Sequence, residues 1–359
     1  MANRWIDGFG RYGGDTSKML NGSSSQAWAT VGPKFSLSAA NPRTGTHCLR
    51  MAAPGELEQN ARRVFGAPLE EVYLGFALYC HSLPTEEWNG NNNGIYIASL
   101  RDQSNRVQIV FYLGTDGAIE VRRKVDDAVL ARTVPVIGSG AYQHIEIYAR
   151  AATENGAVEL RVDEVTHLNL TGIKTVSTDS VEFSQNAVGF ETFGGTAQID
   201  FADFYVNDTV NDGSGCHTFI GDCKSGVLMV DSDTAQSDFV LSAGASGYQL
   251  LNDTPPDDAT FISTESATAR SDFGLANGAE NISEILTVRP FVRAQKDDAG
   301  SALIAPSMVS GASKASVDGQ PITTAPAYYD NNVPLNPATS APWTRAELDA
   351  AFEAIERVA

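Results

Sequence analysis

Cutting a glycosidic bond takes two carboxylates, and a retaining hydrolase holds them about 5–5.5 Å apart, facing one cleft. The nearest pattern in this chain is Glu159-Leu160-Arg161-Val162-Asp163. Period-2 spacing puts its three charged side chains on one face of a strand. An arginine holds the middle position, so the trio reads as an ion-pair ladder on a solvated face. The pattern Glu-x-Asp-x-x-Glu occurs nowhere. Gly213-Ser214-Gly215 is a fragment of a nucleophile elbow without the flanking strand and helix. No glycine-rich phosphate loop precedes a helix. The five histidines, His47, His81, His144, His167 and His217, are scattered, four of them in or beside strand-like segments, and read as structural. Cys80 sits in an apolar run and reads as a small buried hydrophobe, one of four cysteines with Cys48, Cys216 and Cys223. Cys216 and Cys223 flank a short loop and could pair or, with His217, hold a metal. A zinc site needs four ligands, however, and no second pair lies near. The sequence therefore assigns no catalytic residue, no metal ligand and no cofactor.

Sugar recognition is the chemistry that stays open. Glu86-Glu87-Trp88-Asn89-Gly90-Asn91-Asn92-Asn93-Gly94 offers one aromatic face among many amide donors and acceptors. Such a loop can stack on a pyranose and bond its hydroxyls. Trp88, Asn89, Asn91, Asn92 and Asn93 are the candidate carbohydrate-binding residues. The other reading is a turn whose one tryptophan packs into the core. Calcium could also sit among the aspartates of such loops.

Short alternating segments must position that loop. They run from Thr46-His47-Cys48-Leu49-Arg50-Met51 through 72–80, 94–100, 106–113, 119–122, 128–132, 144–150, 157–163 and 187–193 to 199–206. Asp126-Asp127 and Glu154-Asn155-Gly156 read as hairpin turns. About a dozen strands with turns every 8–14 residues or so, and no helix among them, predict two packed antiparallel sheets. Asn207 to Gly215 is polar or small in nearly every position and reads as a linker. Strand-like segments resume at 226–230, 259–263, 284–288 and 302–305. At the end, Thr344 and Glu347 form a capping box, with Trp343 placed to staple against Leu348. Leu348, Ala351, Phe352, Ile355 and Val358 then share a helical face. The expected organisation is an all-β chain: a sandwich over 1–207, a linker over 208–215, and a smaller β-rich unit over 216–359 ending in a helix at 344–358.

Composition narrows the function classes. The chain has 359 residues, 42% of them hydrophobic, 19% charged, and 32 glycines, which suits short strands and tight turns. Its formal charge of −19 is spread along the chain and repels nucleic acid. The one basic cluster, Arg122-Arg123-Lys124, alternates with Glu120 and Asp126 as an exposed strand would. No segment has the apolar run of a signal peptide or the ~20 apolar residues of a membrane span, so membrane insertion is not expected.

Three stretches together resemble tailed-phage structural proteins that carry a concanavalin A-like lectin/glucanase domain. They are Trp5-Ile6-Asp7-Gly8-Phe9-Gly10-Arg11-Tyr12, then 156–163 followed by Thr171-Gly172-Ile173-Lys174-Thr175, and the closing strand 199–208. The second half is similar to the companion region of those proteins in Pro256-Asp257-Asp258, Lys296-Asp297-Asp298-Ala299-Gly300 and Trp343-Thr344. The resemblance implies a jelly-roll sandwich followed by a second β unit. It also implies a non-enzymatic virion component of tail, fibre or surface, assembled in the host cytoplasm with other virion proteins. A homo-oligomer, with a trimer as the guess, goes with that reading. The alternative is a tail adhesin that recognises a host surface glycan, and a polysaccharide-degrading enzyme ranks third.

Overall fold

The computed structural model describes residues 3–20, 28–52, 59–85, 94–177, 182–191, 197–213, 215–244, 246–278 and 282–358. Fifteen strands occupy its first 207 residues. They are β1 (Asn3–Asp7), β2 (Trp28–Val31), β3 (Phe35–Ser38), β4 (Cys48–Ala52), β5 (Gln59–Leu69), β6 (Glu71–Ser82), β7 (Gly94–Arg101) and β8 (Val107–Leu113). After them come β9 (Ile119–Arg123), β10 (Ala128–Arg132), β11 (Tyr142–Arg150), β12 (Gly156–Val162), β13 (Val165–Ile173), β14 (Phe183–Glu191) and β15 (Gln198–Asn207). One sheet runs β13-β12-β11-β6-β15-β4-β3, with β1 continuing beside β15; the other runs β10-β9-β8-β7-β14-β5-β2. Every pairing is antiparallel. The expected hairpins form, with Asp127 at φ 53° and Asn155 at φ 58°.

Alternating side chains from both sheets meet in one core that includes Leu74, Phe76 and Leu78 of β6 and Ile109 and Phe111 of β8. Phe204 lies at its densest point, within 6.4 Å of the rings of Trp5, Phe9, Trp28, Phe76 and Phe201. The first half is an antiparallel β-sandwich of two facing sheets.

Beyond it, a six-stranded sheet is built around the strand Phe352–Val358, which pairs with Arg270–Leu275 on one side and Leu303–Ser310 on the other. This corrects the C-terminal helix expected over 344–358. The capping box forms as expected, with Thr344 N–H donating to Glu347 and Glu347 N–H to Thr344, but the helix covers only Arg345–Asp349. Ladders on both sides satisfy the backbone of Phe352–Val358, which outweighs the helical preference of so short a segment. Trp343 and Leu348 do share one apolar cluster. The segment 284–288, expected as a strand, contributes a single bridge, Val288 to Val333.

The two halves are locked together. Arg11, buried in the first half, lies 3.7 Å from Asp330 and packs over the rings of Phe291 and Tyr328. Lys18 and Arg293 both reach Asp258 at 2.6 Å. The segment after the sandwich lies back on the first sheet: Ile220 and Gly221 N–H donate to the buried Glu146 carboxylate, which also accepts from Tyr205 Oη at 2.6 Å. Phe219 meets Tyr73 edge to face and lies under the Arg161 guanidinium. Tyr205 can cross β6 only because position 75 is glycine; a Cβ there would collide with its ring.

Replacing Phe204 by alanine removes the common neighbour of five rings. It should lower stability by about 3–5 kcal/mol in urea denaturation, with the fold kept.

Candidate functional site

The strand register gathers a polar and aromatic patch on the outer face of the eight-stranded sheet. Residues directly opposite on antiparallel strands share a face. Ser36 faces Arg50, Arg50 faces Asp200, Asp200 faces Tyr79, and Tyr79 faces Tyr142, which makes one row across β3, β4, β15, β6 and β11. His81, two residues further along β6, joins the same face. Its ring centroid lies 4.7 Å from that of Tyr79, which lies 5.3 Å from that of Tyr142. The Arg43 guanidinium sits 5.9 Å over Tyr142.

The charges in the patch are fixed. Arg50 donates to both oxygens of Asp200 at 2.7 Å, and His81 Nε2 lies 2.7 Å from Asp200 Oδ2. The Asp200 side chain is fully buried, whereas those of Arg50 and His81 are 19% and 29% exposed. Burial alone would push the Asp200 carboxyl up; the hydrogen bonds from Arg50 and His81 outweigh it and hold the carboxyl below its usual range. Its carboxylate raises Arg50 in turn. Burial pushes the neighbouring Cys48 thiol up to about 12 and removes it as a nucleophile. Tyr142 Oη donates to the Asn41 carbonyl at 2.6 Å, which fixes its ring. The result is a row of half-exposed rings beside a bidentate ion pair with donor hydrogens at its surface. This is the chemistry of stacking on a sugar ring while bonding its oxygens.

The sequence's own candidates, Trp88, Asn89, Asn91, Asn92 and Asn93, lie outside the described residues. Their segment follows directly from the strand that carries Tyr79 and His81. β6 ends at Ser82, which pairs with Gln198 at the start of β15, and Gln198 pairs with Ala52 at the end of β4. In the facing sheet Gln59, Phe190, Glu191 and Gly94 are likewise neighbours. The connections β4–β5, β6–β7 and β14–β15 therefore leave and enter at one edge of the sandwich, beside the patch.

Other candidates are engaged elsewhere. Glu159 accepts from Arg161 at 2.7 Å and from Thr166, and Asp163 accepts from His144 N–H, so of the ion-pair ladder expected there the Glu159–Arg161 pair forms and Asp163 holds a backbone amide instead. Arg122 pairs with Glu120, Arg123 with Asp126 and Lys124 with Asp127, the acids that interrupt the basic cluster in sequence. All four cysteines are thiols, and Cys216 Sγ contacts the Leu286 carbonyl. Among the described residues no group of three or more His, Cys, Asp or Glu is arranged to hold a metal.

No family model matches the chain, and no curated protein matches it. Among solved structures it is similar to the alginate lyase Aly36B, at 10% identity and TM-score 0.40 over 57% of this chain and 96% of that one. It is also similar to lectin II from Ulex europaeus, at 11% identity and TM-score 0.36 over 57% of this chain and 99% of the lectin. The carbohydrate binding module CBM66 from Bacillus subtilis matches at 10% identity and TM-score 0.29, over 49% of this chain and 97% of that module. None of these similarities transfers a site residue.

Asp200→Asn should cost about 1.5–3 kcal/mol near neutral pH, the range for hydrogen bonds to a charged group. The folded carboxyl titrates below its unfolded value, so wild type holds this increment above pH ~4 and loses it as pH falls through the folded pKa. The melting-temperature gap between wild type and Asp200→Asn should therefore close on acidification, as read by thermal denaturation across pH.

Proposed function

We propose that this chain is a non-enzymatic adhesin, recognising a polysaccharide through the outer face of its sandwich half and displayed on the surface of a tailed-phage particle. The observation that carries the reading is the half-exposed row Tyr79, His81 and Tyr142 beside the Arg50–Asp200 pair. Its rings offer a stacking platform, and its guanidinium and imidazole offer directed hydrogen bonds.

The same geometry favours binding over bond cleavage. The buried Asp200 carboxylate is saturated by Arg50 and His81, and the acids at 159 and 163 are engaged with Arg161, Thr166 and the His144 amide. The resemblance of Trp5–Tyr12 and of the strand 199–208 to phage structural proteins supports the particle as the setting. The second half, fastened to the sandwich by Arg11 and Lys18, would be the part that docks on other virion proteins.

The isolated chain should bind a host surface polysaccharide, and Tyr79→Ala should weaken that binding about tenfold, near 1.4 kcal/mol. A glycan array followed by calorimetry measures this. Unchanged affinity in a folded Tyr79→Ala protein would remove the platform from the reading, and reducing-sugar release would turn it towards an enzyme. Mass spectrometry of purified particles tests the setting, and absence of the chain from them would refute it.

A further inference from the structure

A second feature lies in the other half. A cavity of about 1070 Å3 opens between the six-stranded sheet and the segments 239–265 and 291–298. This lies near the upper end of the range for small-molecule sites. Its lining combines apolar side chains, among them Phe239, Ile262, Phe291, Ile322 and Tyr328, with charged ones, and Phe261 is 50% exposed. One of the charged lining residues is buried and incompletely partnered. Glu353, on the central strand Phe352–Val358, is 8% exposed, and its Oε1 has no hydrogen-bond partner among the described residues.

A carboxyl buried without a full set of donors carries a desolvation cost that its neighbours normally offset. Here the cations that face the cavity are committed elsewhere. Arg11 is held by Asp7 and Asp330, Arg293 by Asp258, Arg357 donates to the Thr264 carbonyl, and Lys296 donates to the Gly300 carbonyl. Burial pushes the Glu353 carboxyl up to about 8, with the Phe291 backbone N–H pulling the other way. The rest of the lining is acidic on balance. Asp253, Asp257, Asp258, Glu265, Asp297 and Asp298 add a field that attracts cations and repels anions.

We infer that this cavity is a binding site for a small organic ammonium, a primary amine on a hydrocarbon skeleton, whose charged end meets Glu353 and whose body packs against the phenylalanines. An ammonium supplies the donors that the carboxyl lacks and forms a charge-assisted hydrogen bond in a low-dielectric setting. Its skeleton displaces water from apolar walls. An anion would meet both the acidic lining and Glu353, and a neutral hydrocarbon would leave Oε1 unsatisfied.

The probes are n-hexylamine and n-hexanol, titrated calorimetrically into the full chain at mildly alkaline pH. The amine should bind at least about tenfold more tightly than the alcohol, and Glu353→Gln should erase that preference. Phe239→Ala, which leaves the carboxyl in place, should weaken both probes. It keeps the test decisive if Glu353→Gln does not fold. Equal binding of amine and alcohol, a retained preference in folded Glu353→Gln, or no binding of the amine at millimolar concentration would each overturn the assignment.

Discussion

The Asp7 carboxylate lies out of reach of water and is compensated on every side. Phe9 N–H donates to one oxygen at 2.8 Å, Tyr12 Oη and Trp28 Nε1 donate to the other at 2.6 and 3.1 Å, and the Arg11 guanidinium stands 3.6 Å away. Removing one partner from such an arrangement leaves an uncompensated buried charge, which costs far more than the net worth of any single bond. The arrangement fixes where residues 5–12 run, and this decides two things at once. Trp5, Phe9 and Trp28 are held against Phe204 in the sandwich core, and Arg11 is presented to Asp330 of the second half. Arg63, buried over the Trp5 ring, belongs to the same layer; burial pulls it down to about 9, against the opposing pull of Asp330. The opening segment is thus structural glue for both halves.

Much of the sandwich was legible because alternation survives wherever one face of a strand is wet and the other dry. The strands Ile119–Arg123 and Gly156–Val162 follow that rule, with Glu120, Glu159 and Arg161 half-buried beside buried apolar neighbours. β5 was missed because Arg62, Arg63 and Pro68 interrupt its pattern; its inward Arg63 packs over Trp5, which comes from β1 of the facing sheet. The last strand was misread because Leu348, Ala351, Phe352 and Ile355 fit a helical period, whereas Phe352–Val358 shows no apolar–polar alternation. Two ladders, contributed by residues about 50 and 80 positions earlier, settled the matter, and no local signal encodes them.

The patch was harder to read than the fold. His81 and Asp200 are 119 residues apart and Arg50 and Asp200 150 apart, so only ladder register brings them together. Each looks ordinary alone: a strand histidine, a strand arginine, an aspartate in an aromatic run. An aspartate between Ile199 and Phe201 was the one available hint, since an acid amid core residues requires a cation nearby. The loop at 86–93 drew notice for its composition, and it springs from the strand that carries the patch.

Three chain crossings share one end of the sandwich, and each is anchored by strands whose pairing is complete before the crossing begins. Lengthening a crossing of this kind costs little, about 0.6 kcal/mol per doubling from closure entropy. New contours can therefore be tried at that end without disturbing the ladders beneath. A scaffold of this design separates what must be conserved for folding from what is free to diverge for selectivity.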